Sequence, residues 1–413
     1  MGALHNLAIN HAQNKAAIAA AGAIPPLLKL LEPNSSTGVQ AAAAGALLHL
    51  AADHALNLAA INSVTPALVR LLGPDSSADV QVATAGALCS LATNNGQNRA
   101  AIAAAGAIPA LVRLLGADLP AGVQKNAAGT LCILANSAQN QAAITAADAI
   151  PALVHLLNPY TPPTVQEAAA TRLRYLASDA QNVAQNRVTI TAAAVIPALV
   201  QLLPPESSAD VQEAAARLLG SLAINLSHNQ AATGIAGTIA ALVRLLGSES
   251  AEDVQAAALS ALQNLANNHV QNKAAIVAGG ALTPLVRLLE HDSPPHVQRV
   301  AADALRNLIC STEAQDAAAA AGAIPALLQL LGSGSAEDVQ KATACALHNL
   351  ACCHSHNQAS LAANGAIPAL VRLLGYDSSS DVQAAAAGAL CSEAANHAPN
   401  QAATTAPFRL WCG

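Results

Sequence analysis

One repeat decides what this chain can fold into. The stretch AGAIPALLQLL at 321–331 has close copies at 21–31, 105–115 and 364–374, and weaker ones near Val64, Asp148, Val195, Gly237 and Gly280. A Val-Gln pair recurs in the same phase. It begins at Val39, Val80, Val123, Val165, Val211, Val254, Val297, Val339 and Val382, with spacings of 41, 43, 42, 46, 43, 43, 42 and 43 residues. A proline marks each turn at Pro25, Pro66, Pro109, Pro151, Pro197, Pro284, Pro325 and Pro368, with Ala240 in the remaining copy. An Asn opens most units, at Asn14, Asn57, Asn98, Asn140, Asn186, Asn229, Asn272, Asn357 and Asn400, and Asp316 stands in once. Three markers in one register define an array whose units bury their apolar faces by stacking on neighbours.

Each unit reads as three helices. A short first helix (Gln271 to Val277 in one copy) is expected to be capped by the side-chain oxygen of the marker Asn. It stops at a glycine such as Gly106, Gly322 or Gly365, where a left-handed residue ends a helix at little cost. The second helix starts at the proline, whose missing N–H is unneeded in a first turn. It carries an aliphatic stripe such as Leu111, Val112, Leu114 and Leu115. After a polar loop such as Gly73 to Asp79, the third and longest helix begins. Asp79, Asp210, Asp253, Asp338 and Asp381 complement the helix dipole in its first turn, and Val254, Ala258, Leu262 and Leu265 recur at helical spacing.

Composition agrees. Hydrophobic residues are 53% of the chain but aromatics only 1%, so the core is built from Ala, Leu, Ile and Val, which suit closely packed helices. Only 10% of residues are charged and the net charge is −6. This excludes a chain-wide basic face for nucleic acid. The apolar runs are too short and too broken by Gly and Pro for stable membrane insertion. No secretion signal precedes the cysteines, so they read as reduced thiols of the cytoplasm, with the nucleus as second compartment.

The predicted organisation is a partial repeat at 1–10, nine repeats over 11–396 and a partial repeat or irregular tail at 397–413. The repeat bounds are about 11–53, 54–94, 95–137, 138–182, 183–225, 226–268, 269–311, 312–353 and 354–396. The chain opens inside a repeat and closes on the off-pattern Phe408-Arg409-Leu410-Trp411, which reads as a piece of a longer array or as an improvised cap. The single spacing of 46 reads as an insertion between repeats near Ala180 to Val183.

The Gly-Ala-Ile-Pro-x-Leu-Val-x-Leu-Leu second helix and the Asp-Val-Gln…Ala-Leu-x-Asn-Leu-Ala third helix resemble armadillo repeats over essentially the whole chain. The nearest flavour is that of plant and algal armadillo proteins and the fungal vacuolar armadillo protein. The resemblance implies an all-α, right-handed superhelix. Its third helices would line a groove that holds extended partner segments on a ladder of asparagines. The ladder position falls at Asn6, His49, Ser90, Ile133, Tyr175, Ser221, Asn264, Asn307, Asn349 and Ser392. Three consecutive asparagines therefore make Asn264, Asn307 and Asn349 the candidate peptide-binding residues, because an amide can pair with a peptide backbone. Importin-α-like proteins place Trp four residues earlier. Here those positions are Ser260, Asp303 and Cys345, which argues against recognition of nuclear-localisation signals.

Gln263, Arg299, Arg306, Lys341 and His348 surround the three asparagines as a basic patch, with Asp303 as the exception. That patch would favour an acidic or phosphorylated segment. Two plainer readings stand beside it: asparagines that only bond the neighbouring helix, and charges that are only solvated. Cys345, His348, Cys352, Cys353, His354 and His356 form the densest heteroatom cluster. Zinc is one reading, and small packed thiols with loop histidines the other. Cys89, Cys132 and Cys391 share one position beside the ladder. The second-helix cations Lys29, Arg70, Arg113, Arg244, Arg287 and Arg372 read as a solvated outer stripe.

The expected function is a monomeric, non-enzymatic scaffold without a cofactor that binds a protein segment in the groove. The alternative is the substrate-recognition array of a larger U-box ubiquitin ligase, and a nuclear transport adaptor ranks below both.

Overall fold

The structure is a computed structural model, and it describes residues 12–51, 64–93, 95–135, 137, 139–140, 143–144, 147–178, 190, 195–224, 236–290, 292–332, 334–375 and 377–394. The predicted partial repeat at 1–10, the spacing insertion near Ala180 and the tail at 397–413 lie outside the described residues, as does the side chain of His49. Every regular element among the described residues is helical. The chain divides into two compact units, 1–202 and 203–413.

The second unit gives the clearest repeat. A first helix, Val270–Ala278, leads through Gly279 and Gly280 to the second, Leu282–Arg287, and a loop leads to the third, Pro295–Leu308. The next repeat has the same parts in Thr312–Ala320, Ala323–Leu330 and Glu337–Ala351. Another follows in Ser355–Ala363, Ala366–Arg372 and Ser380–Ala394. In this unit the third helices Ala209–Ala223, Glu252–Ala266, Pro295–Leu308, Glu337–Ala351 and Ser380–Ala394 pack on one another in chain order. In the first unit Thr37–Ala51, Ala78–Ala92, Ala121–Ala135 and Pro163–Ser178 do the same. The packing is close enough that a Cβ added at Gly220 would stand 3.1 Å from Cα of Ala261. The aliphatic stripe is the core: Leu262, Leu265, Leu285, Leu305, Leu327, Leu347 and Leu350 are all buried, each contributing about 1.5–3 kcal/mol relative to exposure.

The turn glycines behave as the sequence predicts. Gly106, Gly322 and Gly365 lie at φ 82°, 88° and 81°. The second helix starts one or two residues before its proline, which stays within the first turn. The predicted aspartates occupy the first turn of their third helices.

The markers themselves act through hydrogen bonds. The Gln of every Val-Gln pair, from Gln40 to Gln383, donates its Nε2 to a loop carbonyl eight residues earlier, at 2.7–2.9 Å. It thereby fixes the corner between second and third helix. The marker Asn acts differently from the expectation that its side chain caps the first helix. Nδ2 of Asn98, Asn140, Asn272 and Asn357 instead donates backward, to the carbonyls of Leu91, Leu134, Leu265 and Leu350, at 2.8–3.1 Å. Each satisfies an orphan carbonyl at the end of the preceding third helix. The capping acceptors stand three residues upstream. Asn95 Oδ1, His269 Nδ1 and His354 Nδ1 accept from the backbone N–H of Asn98, Asn272 and Asn357. Ser311 Oγ does so for Ala314, which places Ala314, not Asp316, at the marker position of its repeat.

Four of the six second-helix cations are also not simply solvated. Arg70, Arg113 and Arg372 donate Nη2 to the carbonyls of Leu31, Leu72 and Leu331 at 3.5, 3.0 and 2.7 Å. Arg287 donates in the same way to Leu246. Each guanidinium ties its second helix to the end of the second helix one repeat before.

Candidate peptide-binding face

The candidate residues sit on successive third helices of the second unit, and the packing of those helices brings them into one row. Asn264, Asn307 and Asn349 are half-buried, and each uses Nδ2 on the preceding third helix. Asn264 donates to the Gly220 carbonyl at 3.2 Å, Asn307 to Gln263 at 3.2 Å, and Asn349 to Arg306 at 2.8 Å. The acceptor is in every case the residue just before a ladder position. The side chains therefore form rungs between repeats, and one hydrogen of each carboxamide is committed to the fold. The next junction uses other groups: His348 Nδ1 lies 3.0 Å from the Gly388 carbonyl and 2.8 Å from Ser392 Oγ. Thus Gln263, Arg306 and His348 are joined to the row as its anchors, the first two through their carbonyls.

The surrounding charge is balanced. Arg299 lies 3.5 Å from Asp303 and 3.3 Å from Asp338; Arg306 lies 3.5 Å from Asp303; Lys341 lies 2.6 Å from Asp381. Lys341 holds the Asp381 carboxyl below its ordinary range, and Asp381 raises the Lys341 ammonium. Three cations meet three carboxylates, two of which, Asp338 and Asp381, come from the first turn of the following third helix. The patch read as basic is a chain of ion pairs, two within the helix Pro295–Leu308 and two between repeats. The cations are well exposed, although Asp303 is half-buried, so the pairs contribute little to stability and can exchange partners.

The heteroatom cluster does not converge. No three His, Cys, Asp or Glu side chains among the described residues come together to hold a metal. His354 is turned to its capping bond and lies 3.0 Å from Asp316 Oδ1, while His348 faces Ser392. Cys89 and Cys132 are thiols pushed up by burial. Sequence reading missed Cys310, whose Sγ lies 3.0 Å from Lys273 Nζ and donates to the Asn307 carbonyl. The two partners are 37 residues apart, so no local spacing announces the pair. At Tyr175, the exposed ladder position of the first unit, sequence reading also missed the Arg174 guanidinium 4.8 Å from the ring.

The family of the Armadillo/beta-catenin-like repeat matches residues 11–52, 95–135, 137–178, 227–267, 269–309, 311–352 and 354–392. The chain is an armadillo-repeat protein. The intervals between those matches hold second and third helices of the same kind, Thr65–Leu71 with Ala78–Ala92 and Val195–Val200 with Ala209–Ala223. Among solved structures, the armadillo protein is similar to the crystal structure of an engineered protein from the Northeast Structural Genomics Consortium. The two share 33% identity with a TM-score of 0.80, over 94% of this chain and 93% of the other. No curated protein matches. Armadillo repeats generally serve as protein-interaction scaffolds. No helix among the described residues is long and apolar enough to cross a membrane.

Proposed function

We propose that this armadillo protein is a non-enzymatic scaffold that holds an extended segment of a partner protein along the third helices from Glu252–Ala266 to Glu337–Ala351. The row of carboxamides carries the reading. A primary amide has two N–H donors and an acceptor oxygen. Bonding one hydrogen of Asn307 and Asn349 to the neighbouring helix fixes the carboxamide plane, and the remaining capacity suits the alternating N–H and C=O groups of an extended chain. Affinity then comes from main-chain bonds, and selectivity from the residues around them.

An acidic or phosphorylated side chain on the partner would compete with Asp303 and Asp381 for Arg306 and Lys341. The exchange is inexpensive because both cations stand in solvent, and a phosphate offers stronger charge-assisted bonds than a carboxylate. A single copy of the array suffices for this role, in the cytoplasm or nucleus.

The test is affinity capture from cell extract with the wild-type array, with the triple variant Asn264→Ala/Asn307→Ala/Asn349→Ala, and with Arg306→Glu/Lys341→Glu, followed by mass spectrometry. A partner retained by the wild type and lost by the folded triple variant supports the backbone ladder. Capture indifferent to the triple substitution sinks it. Capture unchanged by charge reversal removes the acidic preference and leaves the ladder standing.

A further inference from the structure

The third helix Glu337–Ala351 ends on two adjacent cysteines. Cys352 is its C-cap, and Cys353 takes the left-handed conformation at φ 58° that turns the chain into the cap of the next helix, His354. Both side chains are exposed, and the Sγ atoms are 3.8 Å apart with Cys352 donating to Cys353. We propose that Cys352 and Cys353 form a vicinal dithiol that a hydroperoxide oxidises to a disulfide between adjacent residues.

The same connection occurs two repeats earlier without sulfur. Asn267 caps the third helix Glu252–Ala266, Asn268 is left-handed at φ 57°, and His269 caps the next helix. Asn is an ordinary resident of the left-handed region, whereas other side chains with a Cβ are rare there. The turn therefore does not need cysteine at either place, and two thiols at this corner are an addition to the fold's requirement. A thiol pair, unlike an isolated thiol, can complete a two-electron oxidation within itself.

The chemistry balances. The thiolate of Cys353 attacks one peroxide oxygen, forming S–O and breaking O–O, and the alcohol or water leaves after protonation. The sulfur of Cys352 then attacks the sulfenic acid, forming S–S and breaking S–O, and water leaves. The sum is two thiols and one hydroperoxide giving a disulfide, an alcohol (or water) and water. The S–H of Cys352 donates toward Cys353, so the charge that develops on Cys353 accepts a hydrogen bond as it forms. The same bond is the leading reason that the Cys352 thiol titrates above its ordinary value, which casts it as the protonated, resolving partner.

Geometry also sets the character of the product. Adjacent Cα atoms stand about 3.8 Å apart, shorter than the usual disulfide range of about 4.4–6.8 Å. The closed ring is strained, and strained exposed disulfides are the readily reduced, regulatory kind. Ring closure must also turn the Cys352–Cys353 peptide. The Cys352 carbonyl accepts Gln315 Nε2 at 3.1 Å, and the same Nε2 donates to the Asn349 carbonyl at 2.6 Å. Oxidation thus acts on the bond that ties the first helix Thr312–Ala320 to the end of its third helix.

The experiment treats the intact array with hydrogen peroxide, alkylates the remaining thiols and maps the tryptic peptide from Ala342 to Arg372. The expected result is a peptide short of two hydrogens, with Cys345 alkylated and Cys352 and Cys353 linked. Most of the pair should convert at a peroxide dose that leaves Cys391 largely alkylated, and dithiothreitol should restore it. The variant Cys352→Asn/Cys353→Asn, which copies the Asn267-Asn268 corner two repeats earlier, should fold normally by circular dichroism. It should also lose the peroxide-dependent change in melting temperature that the wild type displays. The proposal is overturned if both thiols remain alkylated when Cys391 is oxidised, if the link involves Cys345 or a second molecule, or if the two sulfurs advance separately to sulfinic acids.

Discussion

Asn349 donates Nδ2 to the Arg306 carbonyl at 2.8 Å, across the junction of two third helices. This bond makes the asparagine part of the fold before any partner arrives, so its removal has two separable effects. Asn349→Ala is expected to destabilise the array by about 1 kcal/mol, the net worth of one such bond. Urea unfolding followed by circular dichroism measures it. A peptide-only role predicts no change in the unfolding midpoint.

The buried Asn357 ties two repeats more tightly. Its side chain is 0% exposed and its Nδ2 donates to the Leu350 carbonyl at 3.1 Å. Asn357→Ala leaves that carbonyl without this donor inside a dry junction, at a cost of about 1–3 kcal/mol. Chemical denaturation should show a loss larger than that of Asn349→Ala, whose side chain is half-buried.

Arg113 reaches the Leu72 carbonyl at 3.0 Å. A hydrogen bond from a charged donor is worth about 1.5–3 kcal/mol, somewhat less here because the guanidinium is partly solvated. Arg113→Ala should therefore lower stability by about 1 kcal/mol with little dependence on salt. A solvated stripe would instead give no change, and strong salt screening would point to long-range charge rather than a contact.

Glu393 predicts a pH dependence. It occupies the position that is Leu265 and Leu350 in earlier third helices, and its side chain is fully buried. Burial pushes its carboxyl up to about 7 from an ordinary 4.5. The folded state therefore holds the proton more tightly than the unfolded chain. Stability contributed by the protonated form is fully present below about 4.5 and is lost as pH rises to about 7. The full span corresponds to about 3 kcal/mol. Glu393→Leu should flatten the melting temperature between pH 5 and pH 8 and raise it at pH 8. A wild-type profile that rises across this interval in step with the variant's would refute the assignment.

The period, the three-helix unit, the left-handed glycines and the first-turn aspartates could be read directly, because each is a local demand of helix geometry. What each marker does could not. Periodicity places Asn272 and Asn357 at a helix start, but a carboxamide there can serve the helix it begins or the one just ended, and the second carbonyl lies seven residues upstream. The second-helix arginines were equally ambiguous. Their acceptors are buried Leu carbonyls about one repeat away, and a long cationic side chain on an outer face gives no sign of them. The charge of the candidate face failed to emerge for the same reason. Asp338 and Asp381 were placed correctly in their own helices, yet their ion pairs with Arg299 and Lys341 cross a repeat boundary. Position within a repeat was legible; bonding between repeats was not, apart from the ladder asparagines, whose bond to the neighbouring helix was one of the two readings.

The Gln bonds have a further consequence. Each closes within eight residues and inside one repeat, while the Asn and Arg bonds bridge neighbours at nearly constant offsets. Corner formation is thus local, and several junctions among the described residues present equivalent carbonyls to the same kinds of donor. Whole repeats are therefore exchangeable cassettes. Copying or excising one leaves both flanking corners intact, so the number of repeats, and with it the length of face offered to a partner, can change by recombination without redesign of any single helix.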